Sequence, residues 1–199
     1  MTRSEFQQLL AAHEAWLGSE QQGIGQLIVE GQRWANLDLA MRDVSNARLS
    51  GCELIDCHFQ GCNFSNTAFL AARFTNCRFS KCKFVNADLR GLIANGCDFT
   101  GSNFTRADLT DAVLAANDLS NCVFDWSWLV RTDLRFATLA GLRLEYARLS
   151  GTKLHNDRQF AFVRPVKVTA QELDLSVEGD GSMLAGREGI DLLIMNKSE

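Results

Sequence analysis

From Leu39 onward a large apolar residue recurs at every fifth position: Val44, Leu49, Leu54, Phe59, Phe64, Phe69, Phe74, Phe79, Phe84 and Leu89. After Ala94 the phase resumes at Phe99 and runs to Leu154. Neither a helix nor a strand has a period of five. Two residues ahead of each large residue stands a small one, such as Ala47, Cys52, Thr67, Ala87, Ser102 or Ala112. The residue between them is mostly polar (Asp88, Asp98, Asn103, Asp108), and glycine recurs two places after the large residue. Two inward positions in every five suit a chain that turns a corner once per unit. Four corners close a twenty-residue coil, and coils stack about 4.8 Å apart through their backbone amides. No unit can bury its apolar residue alone; stacking makes the core continuous.

Residues twenty apart are then superposed. Leu39, Phe59, Phe79, Phe99, Leu119 and Leu139 make one column, and Val44, Phe64, Phe84, Phe104, Phe124 and Leu144 the next. The other two columns are leucine-rich, with Phe69 and Phe74 as their aromatic members. The phase has a fainter lead at Ile24, Val29 and Trp34. It is interrupted at Leu92-Ile-Ala94-Asn95-Gly96, where the large position shrinks to Ala and the small one grows to Leu. The near-conserved volume predicts local repacking; a bulge or protrusion is the alternative.

Units such as CNFSN, ADLRG, CDFTG, SNFTR and ADLTD resemble those of the pentapeptide-repeat family across roughly 37–156. The resemblance implies an all-β chain folded as a right-handed quadrilateral β-helix, here of about six four-sided coils. It implies little about activity, because one fold hosts many functions. Members with a known molecular role mimic duplex DNA with an acidic surface and bind type II topoisomerases such as gyrase, protecting them from inhibitors. Members also often dimerise through a C-terminal element.

The ends depart from the repeat. Ser4 to Leu17 reads as an amphipathic helix with Phe6, Leu9, Leu10, His13, Trp16 and Leu17 on one face, Ser4 and Gln7 resembling a capping box, and Gly18 as a stop. Such a helix covers an open sheet edge. His13 is expected to pack with a hydrogen bond, and His58 and His155 to face water. The expected division is a helical cap over 1–23, the repeat over 24–156 and a tail over 157–199 that caps the last coil, forms a homodimer, or both. In the tail, Thr169-Ala-Gln-Glu172 reads as a helix start, Asp180-Gly-Ser as a turn, and Ile190–Met195 as a short strand or helix.

Charge and chemistry narrow the function. Net charge is −4, but 37–156 carries 13 Lys/Arg against 12 Asp/Glu, and 157–199 carries 5 against 8. A DNA mimic needs rows of negative charge in place of phosphates. Here Arg73, Arg78, Lys81, Lys83, Arg90 and Arg106 interrupt the acids, although Asp98 lies over Asp118 and Asp88 over Asp108. All seven cysteines occupy the small inward slot, where Ala, Ser and Thr also stand, so they read as packing residues rather than metal ligands. Free buried thiols suit a reducing compartment, and neither a secretory signal nor a membrane-length apolar run is evident, so a cytoplasmic, bacterial protein is expected. Nothing reads as a nucleophile with its base, a zinc motif or a phosphate loop, so neither enzymatic activity nor a cofactor is expected. The outward aromatic cluster Trp126 and Trp128, with Tyr146, Arg106 and Arg148 in neighbouring coils, has the composition of a binding hot spot. The tail from Phe160 onward is the other candidate to cover it. The expected function is a non-enzymatic scaffold or adaptor/effector for a protein partner, with a gyrase-directed DNA mimic and a purely structural module as alternatives. Direct nucleic acid or membrane binding is not expected.

Overall fold

A computed structural model describes residues 3–154, 172–174 and 183–185. The repeat winds into a four-sided parallel β-helix. On its first wall, β1 (Arg33–Ala35), β2 (Glu53–Ile55), β3 (Arg73–Thr75) and β4 (Ile93–Asn95) pair in parallel with a shift of twenty residues, and single bridges extend this wall through Val113, Asp133 and Lys153. Bridges with the same shift define a second wall (Asp38, His58, Arg78, Asp98, Asp118, Thr138) and a third (Asp43, Asn63, Lys83, Asn103, Val123, Arg143). The fourth runs through Ile28, Arg48, Ala68, Asp88, Asp108, Trp128 and Arg148.

Every corner residue, two places after the large one, has positive φ: Gly61 at 71°, Asn66 at 57°, Lys81 at 60°. Glycine and asparagine enter this region at least cost, which explains their recurrence there. The polar residue ahead of the large one is so often Asp or Asn because its side chain accepts the amide two places on, as Asp98 does from Thr100 and Asn103 from Thr105.

Both inward positions are buried. The phenylalanines stack along the axis: Phe64 on Phe84 at 5.3 Å between ring centres, Phe84 on Phe104 at 4.8 Å and Phe104 on Phe124 at 4.6 Å. The small slot does more than fill a hole. Its hydroxyl or thiol donates to the carbonyl of a large residue one coil back, as from Thr67 to Val44, Ser102 to Phe79, Cys82 to Phe59 and Thr132 to Leu109. All seven cysteines are free and buried. Burial pushes the Cys62 thiol up to about 11 and the Cys122 thiol up to about 12, so thiolate is scarce there near neutrality; the Cys97 thiol is lowered instead, by hydrogen bonding from Cys77, but is shielded by burial. A maleimide added at neutral pH should therefore modify the native protein far more slowly than the denatured protein, which should consume seven equivalents. Immediate stoichiometric labelling of native protein, followed by mass spectrometry, is the contrary result.

Leu92 and Ala94 resolve as repacking. β4 keeps register with β3, Phe74 opposite Ala94, and no bulge forms. Leu92 fills the space that the small Ala94 leaves, and both are fully buried.

At the N-terminal end α1 (Arg3–Gly18) lays Phe6, Leu10 and His13 on the first coils. Phe6 meets Trp34 at 4.9 Å, and Arg42 pairs with Glu14 of the helix. His13 is fully buried; its Nδ1 accepts the Leu27 amide at 3.0 Å, and burial lowers its pKa. The helix face is narrower than the sequence suggested: Leu9 is exposed, because it lies to one side of the Phe6–Leu10–His13 stripe. Ser4 falls inside α1 rather than ahead of it. Ile24 is also exposed, and the ladder begins beyond it, with Ile28 bridging to Arg48. His58 is half-exposed, with Nδ1 3.5 Å from Asp38.

At the other end β5 (Thr152–Lys153) pairs in parallel with β6 (Glu172–Asp174), which pairs antiparallel with β7 (Met183–Ala185). Glu172 is therefore in a strand, not a helix start: the open edge of the last coil offers backbone partners that Leu173 and Asp174 take up opposite Thr152 and Lys153. His155, Phe160, Asp180-Gly-Ser and 190–195 lie outside the described residues.

Candidate functional site

The corner between the third and fourth walls changes character along the axis. Its first rows carry Asn46, Asn66 and Asn86, linked by carboxamide bonds: Asn66 Nδ2 donates to Asn46 Oδ1 at 3.1 Å, and Asn86 Nδ2 to Asn66 Oδ1 at 3.2 Å. The next rows carry Arg106, Trp126 and Tyr146 at φ of 59°, 60° and 59°. A bulky side chain in this conformation costs about 1–2 kcal/mol. It is also thrust outward: Trp126 is 53% exposed. The two rings stack, 4.3 Å between centres and inclined by 22°.

Two residues along, on the fourth wall, Trp128 is 46% exposed and the Arg148 guanidinium carbon sits 4.8 Å above its ring centre. The structure thus joins Trp126 with Tyr146 and Trp128 with Arg148 as two short stacks on either side of Ser127, which is fully buried and whose hydroxyl donates to the Phe124 carbonyl. Arg106 is exposed in the row below Trp126. The described tail strands extend the first wall, away from this corner. Two residues not singled out from sequence brace it. Asp125 is buried beside Trp126, forms an ion pair with Arg143 and accepts the Glu145 amide at 3.1 Å. An acid at a site usually taken by Ser, Thr or Val was the available signal.

Acids elsewhere are largely committed to cations. Arg90 holds Asp88 at 2.6 Å and reaches Asp108 at 3.9 Å. Arg131 holds Asp111, and Arg135 holds Asp133, each at 2.7 Å. Asp98 and Asp118 are neighbours on the second wall and make no ion pair within the described residues. No group of three His, Cys, Asp or Glu among the described residues is placed to hold a metal ion, and no described helix is long and apolar enough to cross a membrane.

Comparison with known proteins adds family and fold. Residues 72–149 match the family model for a pentapeptide repeat region, and 45–93 match that for pentapeptide repeats in nine copies. Among solved structures the chain is similar to QnrB1, a plasmid-mediated fluoroquinolone resistance protein, at 22% identity and TM-score 0.45, covering 85% of this chain and 96% of that one. It is also similar to HetL of the cyanobacterium Nostoc sp. strain PCC 7120, involved in heterocyst differentiation regulation, at 20% identity and TM-score 0.43, covering 88% and 91%. Rfr23 of the cyanobacterium Cyanothece 51142 is similar at 15% identity and TM-score 0.34, covering 72% and 97%. No curated protein matches the sequence significantly.

Proposed function

Because the chain belongs to the pentapeptide-repeat family and spends its interior on packing, we propose that it is a non-enzymatic scaffold that engages a protein partner through the Trp126–Tyr146 and Trp128–Arg148 corner. In this reading residues 1–23 cap one end, 24–156 form the rod, and 157–199 close the far end or pair two copies.

The observation that carries the reading is the exposed aromatic stack built on left-handed backbone. Glycine or asparagine would cost less at Trp126 and Tyr146, as Asn86, Asn66 and Asn46 show two to four rows below Trp126. Large aromatics beside arginine are the residues that dominate binding energy at protein interfaces. A purely structural rod has no use for them.

A DNA-mimicking regulator of a type II topoisomerase is the second reading. In its favour, Asp98 and Asp118 are neighbours on the second wall and make no ion pair among the described residues, although Arg78 stands one coil below Asp98. Against it, the other acids named above are neutralised by arginines at close range. A gyrase supercoiling assay with purified protein separates the two, since a mimic inhibits the enzyme or protects it from inhibitors and a scaffold of this kind does neither.

The direct test uses Trp126→Ala combined with Trp128→Ala. Both side chains are half in solvent, so the melting temperature should stay within a few degrees of wild type. Retention of the partner from its native host on immobilised protein should be lost. Unchanged retention removes the corner from consideration.

A further inference from the structure

The third wall carries a cationic strip directly below the aromatic corner. Three successive rows, 61–66, 81–86 and 101–106, contain Lys81, Lys83 and Arg106 and no acid. All three cations are exposed, and none takes part in an ion pair among the described residues. Around them stand Asn63, Ser65, Asn66, Asn86, Asn103 and Thr105, which are neutral hydrogen-bonding groups, and the apolar Val85. Acids bound the strip but are already engaged: Asp43 accepts from Asn63 and Ser45, and Asp125 pairs with Arg143. The adjoining walls at the same height are of mixed sign, with Arg78, Asp98 and Asp118 on the second and Asp88 and Asp108, held by Arg90, on the fourth.

Resting on the scaffold reading above, we infer that the partner presents an acidic protein segment to this wall, its carboxylates meeting Lys81, Lys83 and Arg106 and an apolar side chain meeting Trp126. Rows are about 4.8 Å apart, so the Lys83 and Trp126 rows are separated by about 10 Å. Along the axis the occupant therefore carries its apolar anchor about 5 Å from the carboxylate that meets Arg106 and about 10 Å from those that meet Lys81 and Lys83. Complementary charge orients such a segment and speeds its arrival, and the aromatic corner supplies the holding contact. A nucleic acid fits less well. Base binding needs a free aromatic face for each base, and here Trp126 and Tyr146 cover each other's inner faces.

The probe is a fluorescein-labelled synthetic peptide of glutamates with one tryptophan, read by fluorescence anisotropy at low salt. Its counterpart with glutamine in place of glutamate is the control. Wild-type protein should bind the glutamate peptide and not the control, and added salt should weaken the complex. Lys81→Glu with Lys83→Glu should weaken binding at least about tenfold, and Arg73→Glu with Arg78→Glu, on the first and second walls, by less than about twofold. All four side chains are exposed, and melting curves check that each variant is folded. Equal losses from the two pairs, or none from Lys81 and Lys83, overturn the inference. If only Trp126→Ala with Trp128→Ala weakens binding, the corner survives and the acidic partner class falls. Tighter binding of single-stranded oligothymidine, abolished by Lys81→Glu with Lys83→Glu, assigns the strip to nucleic acid and overturns the inference as well.

Discussion

Phe84→Asp is expected to leave no folded rod. Phe84 is fully buried, stacked on Phe64 below and Phe104 above, and edge-on to Phe79. Removing such a ring costs about 3–5 kcal/mol. An uncompensated carboxylate in a dry column adds several more, and no cation lies within the column to receive it. The sum rivals the whole stability of an ordinary domain, about 5–15 kcal/mol. Coils above and below depend on this one for their backbone partners, so the loss spreads along the axis rather than opening one side. Far-UV circular dichroism of purified Phe84→Asp should lose the β signal, and Phe84→Leu should retain it with a lowered melting temperature. A cooperative, wild-type-like melt of the aspartate variant would show that the column is not a dry core.

Asn117→Ala should leave a folded but clearly weakened rod, for a different reason. Asn117 occupies the small inward slot and is buried. Its Nδ2 donates to the carbonyls of Ala94 at 2.8 Å and Ala115 at 3.0 Å, and its Oδ1 accepts the Cys97 amide at 2.7 Å. Below it in the same column, Cys97 Sγ accepts the Cys77 amide at 3.4 Å, and Cys77 Sγ donates to the Leu54 and Thr75 carbonyls. Asn117 thus closes a ladder that cysteines carry for the previous coils. Alanine strands the Ala94 carbonyl and the Cys97 amide in the interior, each at about 1–3 kcal/mol, and takes a donor from the part-buried Ala115 carbonyl. A destabilisation of about 3 kcal/mol or more lowers the melting temperature by roughly 10 °C. Asn117→Cys, which restores the chemistry of the rows below, should recover part of that loss. Equal melting temperatures for Asn117→Ala and wild type would mean that those backbone groups find other partners.

The fold was legible because its signal is repeated: each unit restates the same two inward positions, so a lapse such as Ala94 does not mask the phase. What escaped was chemistry that a single unit cannot display. Cys, Ser, Thr and Ala read alike as small, yet three of the four donate to a carbonyl that lies a coil and three residues earlier in the chain. Asn117, like Leu92 and Leu142, departs from the small residues of that slot, but nothing in one unit announces that its carboxamide closes a backbone ladder. The helical cap is legible in its period, but Leu9 and Ile24 read as inward because hydrophobicity alone does not say how wide a buried stripe is. In the tail, Thr169–Glu172 reads as a helix start although Glu172 is in a strand, since nothing in the local sequence announces that a distant backbone edge is waiting for one. The members of the aromatic corner were legible because the twenty-residue spacing superposes them. What they touch was not, for it depends on ring inclination and on the Asp125–Arg143 brace.

The constant twenty-residue register has a consequence for how such a chain can change length. Loss or gain of one residue turns the interior out for every coil beyond it. Removal of five residues between the two clusters preserves inside and outside but swings the remaining rod through a quarter turn, carrying Trp126 from the column of Asn86 and Arg106 to that of Lys81 and Trp128 from the fourth wall to the third. Only whole coils can be added or lost without altering which side chains share a side, so the rod can lengthen by duplication while its recognition surface keeps its bearing.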